Sequence, residues 1–143
     1  MRYALPQPFE EIAHTADVGV RVDGRSAGEA LARLCLALSA LLAGGGEVPV
    51  EREEDLEVAA GADPSQTAVA VLRELLFRFA TERVIAGSVE VVRLDDRGAA
   101  LRVGFGRFDP VRHEGADVKA VTYHLARFGR EGDLWRAQAV FDI

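Results

Sequence analysis

The sequence has no asparagine, one lysine, one cysteine and no long apolar run. The lone thiol, Cys35, excludes an intramolecular disulfide bond. No segment approaches the roughly 20 apolar residues that a membrane-spanning helix needs, and the first six residues lack the apolar core of a signal peptide. These absences predict a soluble, cytoplasmic protein that has no membrane partner.

Basic residues are outnumbered along the chain. The 143 residues include 23 Asp and Glu against 17 Lys and Arg, which gives a net charge of −6. This excess argues against a protein that holds nucleic acid by its own field. Because all the other basic residues are arginines, Lys119 is either retained for its compact ammonium group or present by chance.

The motifs of several enzyme classes are also missing. Gly44-Gly45-Gly46 follows a predicted helix, so it is not a phosphate-binding loop, and Gly104-Phe105-Gly106 is not a dinucleotide fingerprint. No serine nucleophile elbow is present, and Cys35 within a helix is a poor nucleophile. We therefore expect a protein without catalytic machinery of its own.

Two amphipathic helices are predicted. Ser26 followed by Glu29 is a capping box, and apolar residues at helical spacing continue to Leu41. The second helix begins at Asp63-Pro64, an N-cap with proline at the first helical position.

Period-two alternation predicts strands over most of the remaining chain. We expect two extended runs between Phe9 and Asp23, two short strands about an acidic turn within 48–60, and four strands after residue 83. The last two strands, joined by a short connection, should form an antiparallel hairpin. The predicted fold is a single α+β domain over residues 1–143, with both helices packed on one mixed, largely antiparallel sheet.

Three segments carry candidate site residues. Asp17 lies at a strand edge after His14, where a carboxylate suits Ca²⁺ or Mg²⁺ but could equally close a turn. Alternation from Lys119 places His124 on the opposite strand face, as a ligand or as a hydrogen-bonded filler. The sequence stops at Asp142-Ile143, where the side-chain and terminal carboxylates would repel each other without a cation.

Taken together, these blocks resemble the archease family. They are FEEIAHTADVG at 9–19, VKAVTYH at 118–124 and the ending DI at 142–143. The helix at 27–42 and the segment 105–109 also lie where that family has them. The resemblance spans essentially the whole chain and implies a two-layer archease-like domain.

The resemblance implies an accessory protein that activates a GTP-dependent RtcB-type tRNA-splicing ligase. Archeases promote guanylylation of the active-site histidine of that ligase and so sustain multiple turnover. They meet RNA only through the ligase and are not known as independent catalysts.

The resemblance also implies a metal site. Its ligands here are Asp17, Asp142 and the C-terminal residue Ile143, holding Ca²⁺ in structures and Mg²⁺ or another divalent ion in cells. A supporting role falls to residues that lie in the matching blocks: His14, Lys119 and His124.

Two alternatives remain beside the ligase activator. One is a general chaperone or modulator of RNA-processing proteins, in which the metal is purely structural. The other is a metal-dependent hydrolase that uses Asp17, His14 and His124, although no nucleophile or general base is evident.

Overall fold

The computed structural model describes residues 1–13 and 17–143, with the backbone alone at Ala13. The elements follow in chain order: β1 (Arg2–Ala4), β2 (Glu10–Ala13), β3 (Asp17–Gly24), α1 (Ala27–Ala43), β4 (Arg52–Ala59), α2 (Pro64–Glu82), β5 (Val84–Asp95), β6 (Gly98–Arg107), β7 (Ala120–Glu131) and β8 (Leu134–Asp142). Among the described residues, no helix combines the length and the apolarity needed to cross a membrane.

The strands form two four-stranded sheets. The first has the order β1-β5-β6-β4 and the second the order β2-β3-β8-β7, and the pairings between described residues are antiparallel. The α+β class, the two helices and the β7–β8 hairpin are confirmed. The single mixed sheet expected from the sequence is instead two antiparallel sheets.

Helix α1 lies against both sheets. It contacts β5 of the first sheet and β3 and β8 of the second. From Ala30 to Ala43, only Arg33 and Ala40 are not buried. The apolar face predicted from spacing is therefore only part of its buried surface, because a helix covered on several sides must be apolar nearly all round.

Both helices begin at the predicted caps. The Ser26 Oγ accepts a hydrogen bond from the Glu29 N–H at 3.1 Å, and the Asp63 carboxylate accepts one from the Gln66 N–H at 3.0 Å. The Glu29 carboxylate binds the N–H of Arg25 rather than that of the cap residue itself. Helix α1 ends at Ala43, and the φ of 61° at its C-cap residue, Gly44, suits a residue without a Cβ.

The segment 48–60 departs from its prediction. Three of the four acidic residues expected to form a turn, Glu53, Glu54 and Asp55, lie within one continuous strand, β4. This strand is at the edge of the first sheet, where charged side chains reach solvent or ion-pair partners. Glu53 and Asp55 pair with Arg102 on β6, and Glu54 pairs with Arg78 on α2.

Candidate metal centre at the end of β8

An acidic pair lies at the end of the second sheet. Strand β8 runs between β3 and β7, and its pairing with β3 places Asp142 directly opposite Asp17. Directly opposed residues of antiparallel strands have Cβ atoms about 4.5–5.5 Å apart, and like charges at such positions destabilise the pair. Two carboxylates in this register therefore favour a bound cation.

The Asp17 carboxylate has a further unusual feature. Its Oδ1 atom is buried and has no hydrogen-bond partner among the described residues. An unsatisfied buried polar atom costs about 1–3 kcal/mol, so its retention requires an explanation. Asp142 is exposed at the same register position. A cation between the two carboxylates would satisfy Asp17 Oδ1 and still be reachable from solvent.

The segment before β7 joins the same strand end. Ala120 pairs with Asp142, and the backbone N–H of Lys119 donates to the Asp142 carbonyl at 2.8 Å. The Lys119 side chain is exposed. The structure thus brings together three of the predicted residues from distant parts of the sequence: Asp17, Lys119 and Asp142.

His124, one of the two predicted histidines, lies apart from this group. His14 lies outside the described residues. His124 is exposed within a bulge of β7, where the ladder passes from Thr122 opposite Val140 to Arg127 opposite Gln138. Strict alternation from Lys119 therefore fails before His124. The bulge faces β8 three residues before Asp142, about 10 Å along the strand.

The donor set at the strand end is small. Within residues 1–13 and 17–143, no three His, Cys, Asp or Glu side chains are grouped so that they could hold a metal ion. The predicted set contains two such side chains and adds the terminal carboxylate of Ile143, a residue that is 37% exposed. All three groups offer oxygen, which suits Ca²⁺ or Mg²⁺ better than Zn²⁺.

Sequence reasoning missed a buried histidine that supports the segment before Lys119. His113 is 4% exposed; its Nδ1 accepts a hydrogen bond from the Asp109 N–H at 2.9 Å. The neutral ring then carries its proton on Nε2, which lies 2.7 Å from the Glu47 carbonyl. His113 thus ties the 109–119 segment to the chain that follows α1. The Asp-Pro turn signal at Asp109 was the only local hint.

The same segment closes over the end of α1. The Ala116 N–H donates to the Leu41 carbonyl at 2.8 Å, and a Cβ on Gly115 would approach that carbonyl oxygen to 2.2 Å. Glycine is required here by the close approach of two backbones. These contacts help fix where the chain enters β7.

Known proteins are similar to this chain in sequence and in fold. A family model described as the Archease protein family (MTH1598/TM1083) matches residues 9–143. The chain belongs to the archease family. This membership confirms the resemblance identified from the three sequence blocks.

Relatives within the archease family align over nearly the whole chain. Protein archease of Pyrococcus furiosus is 34% identical over 140 residues, covering 94% of this chain and 98% of that protein. Protein archease of Methanopyrus kandleri is 35% identical over 141 residues, with 95% and 99% of the two chains covered. The family-model match at residues 9–143 includes both strand ends that carry the acidic pair.

Two solved structures are similar in fold. The solution structure of protein 1598 of Methanobacterium thermoautotrophicum has a TM-score of 0.72 and 25% identity, covering 94% of this chain and 98% of that one. The crystal structure of a Thermotoga maritima archease, described as a possible chaperone, has a TM-score of 0.63 and 22% identity, with 99% of both chains covered. The latter likeness supports the archease fold alone.

Proposed function

We propose that this protein is a non-enzymatic accessory factor that activates a GTP-dependent RtcB-type tRNA-splicing RNA ligase. It promotes guanylylation of the ligase and multiple turnover. The observation that carries the proposal is the archease family match over residues 9–143. The net charge of −6 suits docking on a basic RNA-binding enzyme better than direct RNA binding, so RNA is met only through the ligase. The expected location is the cytoplasm.

The acidic strand end is the proposed metal site. Asp17, Asp142 and the terminal carboxylate of Ile143 would hold Ca²⁺, with Mg²⁺ or another divalent ion in its place in cells. The unpartnered Asp17 Oδ1 and the opposed register of the two aspartates support this assignment. Three carboxylates supply three to six oxygens, depending on whether each binds through one oxygen or two, and water, backbone carbonyls or the partner would complete a shell of six to eight. When bound, the cation supplies positive charge at an otherwise anionic surface.

Multiple-turnover RNA ligation tests the activator role. A limiting amount of the ligase is assayed with and without this protein, and both ligated RNA per ligase and the fraction of guanylylated ligase are measured. We expect both quantities to rise when the protein is added. Unchanged turnover and unchanged guanylylation would refute the proposal.

A matched pair of variants separates the role of the acidic end from that of net charge. Asp142→Asn removes one negative charge from the proposed metal site, whereas Asp55→Asn removes one from an exposed position on β4 in the other sheet. We expect Asp142→Asn to weaken both metal binding and ligase activation, and Asp55→Asn to leave both nearly unchanged. Equal losses of activation in the two variants would count against a local role for the acidic end.

The third ligand is tested by extending the chain. Residues added after Ile143 convert the terminal carboxylate into a peptide carbonyl and remove a negative charge. We expect a C-terminally extended protein to bind Ca²⁺ more weakly in isothermal titration than one with an N-terminal extension of equal length. Equal affinities would remove the terminal carboxylate from the ligand set.

A general chaperone or modulator of RNA-processing proteins is the second candidate, with a purely structural metal. The description of the Thermotoga maritima structure as a possible chaperone favours it. In this case the folded fraction of Asp17→Ala and Asp142→Ala would still activate the partner, although both variants would unfold more readily. Loss of activation in a fully folded variant would decide against a structural metal alone.

A further inference from the structure

A second candidate site lies at the other end of β8. A pocket of about 350 Å³ opens where the end of β5, the loop before α2 and the start of β8 come together. Trp135 lies at the start of β8, seven residues from Asp142, which corresponds to about 24 Å along the strand. The pocket is therefore separate from the acidic pair.

The wall of this pocket is largely apolar and aromatic. Phe128 and Trp135, both half-buried, line it with ring centroids 6.0 Å apart and ring planes inclined at 48°. Leu94 and Pro64 continue the apolar surface. Half-buried aromatic faces of this kind attract cations as well as apolar groups.

Three exposed carboxylates border the same pocket: Asp63, Asp95 and Asp96. A hydrogen bond from the Ser65 hydroxyl lowers the pKa of Asp63, and one from the Arg97 backbone N–H lowers the pKa of Asp95. Both groups are therefore ionised at neutral pH. The Arg93 guanidinium and the Arg97 N–H both bind Asp95, whereas the Asp96 carboxylate has no hydrogen bond or ion pair with another described residue.

Basic groups near the pocket do not neutralise it fully. Arg93 binds Asp95 at 2.6 Å and Glu57 at 3.1 Å. A neighbouring groove shares Asp63, Pro64 and Phe128 with the pocket, and it is lined by Arg127, Arg130 and Arg136. Among the described residues, no Arg or Lys lines the pocket itself. Its own lining is thus aromatic and negative, and the Arg93 guanidinium offsets the charge of Asp95 alone among the three bordering carboxylates of the described residues.

We propose that this pocket receives an arginine side chain from a basic partner protein. A planar, weakly hydrated guanidinium group can stack on Trp135 while its N–H groups donate to a bordering carboxylate such as Asp96. Lysine offers a point charge and stacks less well. The identity of the partner as the ligase rests on the proposed function, whereas the arginine chemistry of the pocket does not.

Trp135 provides a direct probe because it is the only tryptophan in the chain. Incorporation of 5-fluorotryptophan gives one ¹⁹F resonance at the pocket. We expect a capped tri-arginine peptide to shift this resonance saturably, a tri-lysine peptide to bind more weakly, and a tri-glutamate peptide to have no effect. The absence of a shift with tri-arginine, or an equal shift with tri-glutamate, would overturn the inference.

Two charge variants test whether the tri-arginine peptide binds at this pocket. Asp96→Asn removes a carboxylate that lines the pocket, and we expect tri-arginine to bind about two- to fivefold more weakly. Asp133→Asn makes the same change of charge two residues before Trp135, at an exposed turn position outside the pocket lining. Its affinity for tri-arginine should match that of the unmodified protein. Equal weakening in both variants would show that only net charge matters and would overturn the inference.

The final experiment uses the ligase itself, unlabelled, with the fluorinated protein under the conditions of the activation assay. A shift of the Trp135 resonance on activation, with a higher half-activating concentration for Asp96→Asn, supports the docking role. Activation without a shift overturns the docking inference and leaves the proposed function standing. Tri-arginine binding without any activation of the ligase would instead refute the proposed function and leave the pocket chemistry intact.

Discussion

The acidic pair at the end of β8 should make the metal-free protein less stable than a variant that lacks one of the two charges. Asp17 and Asp142 are directly opposite on adjacent antiparallel strands. Two unit charges about 6 Å apart repel by roughly 0.7 kcal/mol in water, and by more where solvent is partly excluded. Because Asp142 is exposed, the lower value applies to this pair.

The change Asp142→Asn keeps the side-chain shape and removes this repulsion. We expect the free energy of unfolding in chelator-treated buffer to rise by roughly 0.5–1 kcal/mol, which is within the measured range for cross-strand pairs. For a chain of this length, that gain corresponds to a melting temperature about 2–5 °C higher. Unfolding in urea, together with thermal melts, measures the change.

Bound calcium should stabilise the unmodified protein more than it stabilises Asp142→Asn. At a free Ca²⁺ concentration 100 times its dissociation constant, a protein that binds only when folded gains about 2.7 kcal/mol. A variant with tenfold weaker affinity gains about 1.4 kcal/mol under the same conditions. The calcium-dependent rise in stability should therefore be roughly halved in Asp142→Asn.

Either of two results would refute the reasoning. The first is an Asp142→Asn variant that is less stable than the unmodified protein without metal, since the carboxylates then do not repel each other. The second is a calcium-dependent gain of equal size in both proteins, since Asp142 is then not a ligand. Asp55→Asn is the control: it removes an exposed carboxylate paired with Arg102 and should leave the calcium response unchanged.

Three further predictions concern the supports of the fold. His113→Ala leaves a buried N–H and a carbonyl without their partner, so it should lower the free energy of unfolding by about 2–4 kcal/mol in a urea titration. The control His124→Ala, at an exposed position, should change the same free energy by less than about 0.5 kcal/mol. Gly44→Ala should destabilise more than Gly45→Ala in thermal melts, because both have positive φ but only a Cβ on Gly44 meets a backbone oxygen, at 2.3 Å; equal effects would mean that the clash is relieved. Burial raises the pKa of the Cys35 thiol to about 12, so a thiol reagent at pH 8 should label it only after unfolding, and rapid labelling of the native protein would contradict this burial.

Local signals in the sequence predicted both helices and most of the strands, but not β1 or the continuous strand β4. The caps at Ser26 and Asp63 act within four residues, so their side chains alone predict where each helix begins. The division into two sheets depends on which distant strands pair, and alternation along one strand carries no such information. For the same reason the acidic segment of β4 was predicted to be a turn. Its carboxylates pair with Arg78 and Arg102, which are distant in the sequence.

The candidate site was only partly predictable from the sequence. Asp17 and Asp142 were candidates from the residues themselves, and the family resemblance assigned both to one metal site. Their opposed register became visible only in the β3–β8 ladder. His113 is buried because segments 66 residues apart meet around it, which no local pattern indicates. The aromatic pocket likewise combines Trp135 and Phe128 with the loop that precedes α2, more than 60 residues earlier in the chain.

The bulge in β7 explains how the acidic end is assembled. Between Ala120 and Glu131, β7 advances eleven residues, whereas β8 advances only eight between Asp142 and Leu134. The three extra residues lie in the bulge that contains His124. Without them, the pairing at Glu131 would continue along a regular ladder and place Tyr123, rather than Ala120, opposite Asp142. The irregularity therefore brings the start of β7 level with the end of β8, so that the single lysine of the chain, Lys119, lies beside Asp142.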